Sequence, residues 1–337
     1  MSTNGDEAKV VVITGASSGI GRATAVRYAR AGDHVVLAAR SKQTLEDAAA
    51  ECEDAGAASV LVVPTDVGSD EQVRDLVSAV LDEHDRIDSF VNVAGVVAYG
   101  RVEEVPAEVF DTVLRTNLGG SVNVARHVLP VLRRQQAGNL LLVGSVIGHI
   151  AVPTMSAYVL SKWGVRALAR QLALENRDLP GVRIVYAAPG GVDTPIYSQA
   201  ANYNGFVGRP PPPVASSARV AAQLMRRLDG RLAGLLPEQL SVLNHAMMFG
   251  FTRLPRVYDA IVGPLFPLGA TDLTTPVPAG PGNVLESLPD GNRTDGQHNS
   301  SVVGIAMNVV ERLRRLEPPS DTGADLRAGE SHAPPTA

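Results

Sequence analysis

Tyr158 and Lys162 stand four residues apart in the run Tyr-Val-Leu-Ser-Lys, inside a stretch, 157–177, whose pattern predicts a helix. Residues four apart share one face of a helix. A phenol ordinarily ionises ~3 units above neutral pH, a gap of about 4 kcal/mol. An ammonium on the same face favours the phenolate and closes part of that gap. The pair therefore reads as a proton donor with its own pKa tuner, the plain alternative being a surface pair. Its position, opening the helix after a strand, favours the chemistry. Ser145 ends that strand, thirteen residues before Tyr158. A hydroxyl there can orient a substrate carbonyl or simply satisfy a backbone group. Asn117 falls inside a long predicted helix, 107–136, just before Leu118-Gly119-Gly120. Asparagine is a poor helix-interior residue, which points to a local irregularity with a purpose; by itself, packing tolerance is the stronger reading.

A fourth element is an anion site. Thr14-Gly15-Ala16-Ser17-Ser18-Gly19-Ile20-Gly21 follows the apolar run Val10–Ile13 and leads directly into a helix-forming stretch, Arg22–Ala31. Glycines let the backbone turn tightly and approach a ligand. The free N–H groups of the new helix, at the positive end of its dipole, then face a pyrophosphate. The spacing is Gly-x-x-x-Gly-x-Gly. A structural turn is the rival for any lone match, and the strand before with the helix after is the confirming context.

The positioning elements alternate. Strands are predicted at 10–14, 34–39, 59–63, 89–93, 139–143 and 182–187, and helices at 22–31, 42–55, from Ser69 onward, 107–136 and 157–177. Ser41 is placed to cap one helix and Gly56 to close it, and Ser69 with Gln72 forms a potential capping box. This alternation predicts an α/β fold, a doubly wound parallel sheet with helices on both faces, which binds ligands at the carboxyl ends of its strands. After Pro189 the rhythm breaks into a Pro/Gly-rich loop, 195–215, followed by a helix near 215–228. The expected organisation is a catalytic domain over 8–230 with the loop inside it, an apolar helical extension over 231–270, and a largely disordered tail over 271–337 with one potential helix at 302–316.

The composition excludes several functions. A net charge of −5 without a basic cluster argues against nucleic acid. One cysteine, Cys52, and scattered histidines offer neither a disulfide frame nor a metal site. The N-terminal residues 1–9 are polar, without a signal-type apolar segment, and no stretch approaches the ~20 apolar residues that span a bilayer. The expectation is a cytoplasmic enzyme.

Taken together, the motifs resemble the short-chain dehydrogenase/reductase family. The matching pieces are Thr14–Gly21, Asp66-Val67, Asn92-Val93-Ala94-Gly95, Asn117, Ser145, Tyr158 to Lys162, and Pro189-Gly190-Gly191-Val192-Asp193-Thr194, in the family's order and at its spacings. The resemblance is strong over residues 8–195 and implies a Rossmann fold. It implies that Tyr158 is the general acid/base, that Lys162 lowers its pKa and holds the nicotinamide ribose, that Ser145 polarises the carbonyl, and that Asn117 holds a relay water. It assigns Gly15, Ser17, Ser18, Gly19, Ile20 and Gly21 to the phosphates. Asp66 and Val67 go to the adenine, Asn92, Ala94 and Gly95 to the adenosine side, and Pro189, Gly190, Val192 and Thr194 to the nicotinamide and phosphate. Val93 departs from the family's usual second asparagine, and the chain runs well past the usual length of about 250 residues. A homodimer or homotetramer follows from the resemblance, with the helices at 107–136 and 157–177 as the dimer face.

Cofactor choice is read from the end of the second strand, where NAD sites place a carboxylate for the ribose 2′-hydroxyl. Here the chain reads Ala38-Ala39-Arg40-Ser41. Arg40 can pair with a 2′-phosphate, and Ser17 and Ser41 can add hydroxyls, while Arg22 is expected on the surface of the first helix. NADP(H) is therefore expected over NAD(H). A mostly apolar pocket of Val96, Val97, Val146, Ile147, His149, Met155, Gly191 and the 195–215 loop suits a hydrophobic ketone or aldehyde and its alcohol, with Tyr197, Tyr203 and Phe206 as a lid; His149 can meet a polar substituent there, a surface histidine being the safer reading. The alternative is a catalytically silent dinucleotide-binding sensor or scaffold. Neither a membrane nor a metal is expected as a partner.

Overall fold

The structure, a computed structural model, describes residues 7–229 and 242–296, with 304, 306–308 and 311 beyond them. Six parallel strands form its centre: β1 (Val10–Thr14), β2 (His34–Ala39), β3 (Ser59–Pro64), β4 (Ser89–Asn92), β6 (Gly138–Val143) and β7 (Val182–Ala187), with the two-residue β5 (Ala98–Tyr99) lying between β4 and β6 in sequence and outside this sheet. Their order is β3-β2-β1-β4-β6-β7. Every residue of β1 is buried, as a strand with helices on both faces requires. Its side chains alternate between two cores. Val10 and Val12 join Val73, Leu76, Val128 and Leu172 on one face. Val11 and Ile13 join Tyr28, Leu45, Ala48 and Leu224 on the other.

The first face is covered by α3 (Asp70–His84), α5 (Gly120–Gln135) and α6 (Ser156–Glu175), the second by α1 (Gly19–Ala29), α2 (Lys42–Ala55) and α7 (Ser217–Asp229). Ser41 caps α2 by accepting from the Thr44 N–H, and Gly56 ends it at φ 99°. Ser69 caps α3. Gln72 does not complete the expected box: its side-chain oxygen takes the Asp66 N–H at 2.8 Å. The long helix is not uniform. It runs as α4 (Ala107–Leu114), a π-helical turn over Arg115–Gly119, then α5, and Asn117 sits in the π turn. Such turns displace one residue from the regular ladder and frequently mark functional sites.

Beyond β7 the chain builds a cover. The 195–215 loop is held by short strands: β8 (Gly191–Asp193) pairs with β11 (Val214–Ser216), β5 with β9 (Ala201–Asn202), and β10 (Phe206–Gly208) with β12 (Thr271–Pro276). The apolar stretch after residue 230 forms α8 (Val242–Arg253) and α9 (Pro255–Ala270); 230–241 lie outside the described residues. The expectation of a tail largely disordered from 271 does not hold over 271–296. That segment pairs as β12, exchanges backbone hydrogen bonds with Asn202 at Gly280, and packs Val284 fully away from solvent. Its poor apolar content misled because backbone hydrogen bonds, which any composition can make, hold it. Most of the potential helix at 302–316 lies outside the described residues.

Candidate active site

One cavity of about 310 Å³ runs along the carboxyl ends of the strands. Gly15, Ser17, Ser18, Gly19 and Ile20 line one end; Ser145, Tyr158 and Lys162 line the other. Gly15 and Gly19 adopt φ of 66° and 53°, the left-handed region that favours glycine. A Cβ on Gly15 would press on the Ala94 backbone at 3.0 Å, and one on Gly19 on Thr194 at 3.1 Å. The turn is thus wedged between the ends of β1, β4 and β8. Because α1 begins at Gly19, its first N–H groups are at the cavity wall, where an anion is favoured.

The base of the turn is braced by a chain of side-chain bonds. The Thr14 hydroxyl donates to Asn92 Oδ1 at 2.7 Å and accepts from the N–H groups of Val93 and Ala94. Asn92 Nδ2 donates to the Ser121 hydroxyl, which donates to the Asn117 carbonyl. Asn92 is therefore spent on the scaffold and does not line the cavity, contrary to its expected place beside the adenosine. Gly21 does not line it either; it lets α1 close against the Gly15 carbonyl. Ser41 also fails to reach it, since its hydroxyl is the α2 cap. Ala94, Gly95, Asp66, Val67, Pro189, Gly190, Val192 and Thr194 all line the cavity.

Lys162 is buried, with Nζ donating to the Val143 carbonyl at 3.1 Å and lying 5.6 Å from the centre of the Tyr158 ring. Burial pulls its pKa down to about 8. Burial likewise pushes Tyr158 up to about 12, against a hydrogen bond from Ser145 that lowers it. Lys162, expected to acidify the phenol, is not among the groups that shift it; desolvation is the dominant cause and Ser145 the opposing one. Asn117 reaches the same corner. Its Nδ2 donates to the Val96 carbonyl and the Ser161 hydroxyl, and its Oδ1 accepts from the Val96 N–H, each at 2.9 Å. A Cβ on Gly95 would lie 3.2 Å from Asn117 Oδ1 and 3.5 Å from Lys162 Nζ, so the absence of a side chain at Gly95 brings the two together. Gly144 plays a similar part before Ser145, where a Cβ would run into the Tyr186 hydroxyl.

The substrate end is apolar. Val96, Val97, Val146, Ile147, Met155 and Gly191 line it as expected, joined by Tyr197 from the loop and by Met247, Val262 and Phe266 from α8 and α9. Tyr203 and Phe206 do not; Tyr203 packs with Val105 and Val109 below β5. His149 is not at the surface. It is 3% exposed, stacks near the Tyr186 ring at 5.9 Å, and burial drives its pKa down to about 4. Nor is Arg22 a surface residue: it is buried under α2, forked onto both oxygens of Glu51.

The part that sequence reading missed is the cover over the cofactor end. The strap formed by residues 277–296 crosses the mouth of the glycine turn. The Arg40 guanidinium donates to the backbone carbonyls of Asn283 and Val284, and the Gly19 N–H donates to the Arg293 carbonyl at 2.9 Å. Gln199, itself buried, holds the strap at Leu288, Asn292 and Asn283. Arg40 is burial-lowered in pKa, with Asp66 opposing. No local pattern in 277–296 announces these contacts, since the acceptors are backbone carbonyls.

The cavity joins a glycine turn at a helix N-terminus to the Ser145, Tyr158 and Lys162 corner, and known proteins share its framework. Residues 9–204 match the short chain dehydrogenase family. A sepiapterin reductase of Chlorobaculum tepidum is 33% identical over 197 residues, 56% of this chain and 80% of the relative. A short-chain dehydrogenase structure from Streptomyces avermitilis superposes with a TM-score of 0.64 at 26% identity, covering 76% of this chain and 96% of that one. An alcohol dehydrogenase from the archaeon Thermococcus sibiricus, complexed with 5-hydroxy-NADP, gives 0.57 at 31% identity, covering 69% and 95%. With motif order, sheet order and family match in agreement, the chain belongs to the short-chain dehydrogenase family, NAD(P)-binding oxidoreductases that act on CH–OH groups.

Proposed function

We propose that this protein interconverts a hydrophobic ketone or aldehyde and its alcohol, with NADP(H) as the preferred cofactor and Tyr158 as general acid/base. The observation that carries the reading is the single cavity joining the glycine turn to Ser145, Tyr158 and Lys162. A bound nicotinamide supplies or accepts the hydride. Every other step belongs to side chains. Ser145, hydrogen-bonded to Tyr158, holds the carbonyl oxygen. Tyr158, kept protonated by its buried setting, gives that oxygen its proton as negative charge develops there. Tyr158 regains its proton from solvent by way of Lys162 and the Asn117 corner, and Lys162 would hold the ribose hydroxyls. Gly190, Val192 and Thr194 would wall the nicotinamide, and the apolar lining excludes water from the reacting carbon.

NADP(H) is proposed over NAD(H) because Arg40 directly follows β2, with no carboxylate in the following turn. A phosphate is a stronger acceptor than the neutral carbonyls that Arg40 holds, so a 2′-phosphate competes with the strap for it. The cytoplasm as location and a homodimer are part of the same proposal; Leu160, Trp163 and Leu174 stand out half-exposed along α6, which suits a face between two copies. Among the described residues no helix is long and apolar enough to cross a membrane.

Purified Tyr158→Phe tests the reading. The phenol is a proton donor worth about 10²–10⁴-fold in rate, so turnover of a carbonyl panel, followed by NADPH absorbance, should fall by that factor while NADPH still binds. Unchanged turnover would remove Tyr158 from the chemistry, and a wild type inert towards the whole panel would favour a silent binding protein.

A further inference from the structure

Asn244 lies on the inner face of α8, in register with Met247 and Phe251, two apolar residues of the roof. It is 2% exposed and lines the cavity. Its Nδ2 is buried and has no hydrogen-bond partner among the described residues. A buried amide without a partner is a standing cost to a fold, and native interiors rarely tolerate one without a reason. Its neighbours locate it. A Cβ on Gly190 would lie 3.1 Å from both amide heteroatoms of Asn244, so the amide packs on the bare backbone of Gly190. That backbone is tied to the residue after Ser145, because the Pro189 carbonyl accepts from the Val146 N–H at 2.9 Å. Asn244 therefore reaches the cavity beside its Ser145 end. The other groups that α8 and α9 send there are apolar, apart from Tyr258, whose hydroxyl is already bonded to the Ala151 carbonyl at 2.8 Å.

We propose that Asn244 is a substrate-anchoring residue: its side-chain N–H donates to a second oxygen on the substrate, remote from the carbonyl held by Ser145 and Tyr158. The substrate class is then an apolar carbonyl compound with a second acceptor oxygen, such as a ring diketone or a keto ether. A site built to hydrogen-bond such an oxygen discriminates sharply against the analogue that lacks it, because the amide then stays unpaired. The proposal rests on the reductase reading above and deepens it.

The test compares decalin-1,5-dione with 1-decalone in the wild type and in Asn244→Leu, a near-isosteric change that keeps the roof apolar. The wild type should prefer the dione by tenfold or more in kcat/KM, carried by KM, and Asn244→Leu should erase that preference while leaving 1-decalone and the NADPH Kd unmoved. A dione preference that survives in Asn244→Leu overturns the proposal. So does a wild type with no preference, or a variant whose only defect is in NADPH binding. The same pair is measured as the Tm increment each adds to NADPH-loaded protein, which needs no turnover. An enzyme inert towards both compounds, yet with a dione-specific Tm increment lost in Asn244→Leu, would sink the reductase reading and leave Asn244 standing. Asn244→Gln, should Leu weaken the fold, keeps the amide and is expected to retain part of the preference.

Discussion

Residues 10–194 and residues 242–296 meet at the same cavity but are held in different ways. The first region carries the six-stranded sheet, whose strands are buried on both faces with α7 completing the cover, and several of its chemical groups stand at a strand end or helix start. Thr14 ends β1, Ser145 follows β6, and Tyr158 opens α6. The second region has little core of its own. It is a roof and a strap, fixed by pairing of β10 with β12, by Gln199, and by Arg40 reaching for backbone carbonyls. The difference separates two jobs. On the proposed function, the first region supplies the reaction, and the second decides what enters and how tightly the cleft is closed. The family match ends at residue 204, before the roof and strap begin.

The sharpest way to break that division is at Lys162, which the proposed function assigns to the reaction and whose burial burdens the fold. Lys162→Met should cut turnover by about 10²-fold or more and yet raise stability. The buried lysine has a folded pKa of about 8, below its ordinary 10.5, so folding favours its neutral form. The penalty is complete below about pH 8 and fades as pH rises from there towards 10.5. It amounts to about 3 kcal/mol at most. Urea melts at pH 7 and pH 10 should therefore show the variant's advantage shrinking at the higher pH. An advantage that grows with pH would mean that Lys162 stabilises the fold as a cation. Carbonyl reduction by the wild type should also decline above about pH 8, as the ammonium is lost.

Arg40 sharpens the comparison because it serves both regions. Arg40→Asp should raise the KM for NADPH by about tenfold or more, the loss of one or two charge-assisted bonds, and turn the NADP/NAD preference of kcat/KM towards NAD. It should also free the strap, seen as faster proteolysis within 277–296. Faster proteolysis with an unchanged cofactor ratio would confine Arg40 to holding the strap.

Ser41 carries the smallest effect. As the α2 cap, its replacement by alanine should cost about 1 kcal/mol of stability with no change in KM for NADPH. A KM that rises would return Ser41 to the phosphate site.

Much of the site was legible because its signals are local. A serine followed by a polar run capped α2 and α3 where a serine should. Asparagine in a helix interior pointed to an irregularity, and the helix does pass through a π turn at Asn117. The failures share one cause, which is competition for partners across the chain. Asn92 was expected at the ligand and went to Thr14 and Ser121. Arg22 found Glu51, and His149 went inside to Tyr186. Nothing near these residues in sequence says which of several polar neighbours will win.

The amino-acid order alone determined the alternation of strand and helix, the left-handed glycines of the turn, and the one-face placement of Tyr158 and Lys162, since each depends on backbone preference and a spacing of a few residues. Only the tertiary structure decided that the phenol is buried enough for desolvation to raise its pKa, that Arg40 is shared with a strap some 240 residues away, and that an asparagine from α8 stands over Gly190. Burial and long-range hydrogen bonds are properties of what surrounds a group, and those surroundings exist only once distant segments have packed.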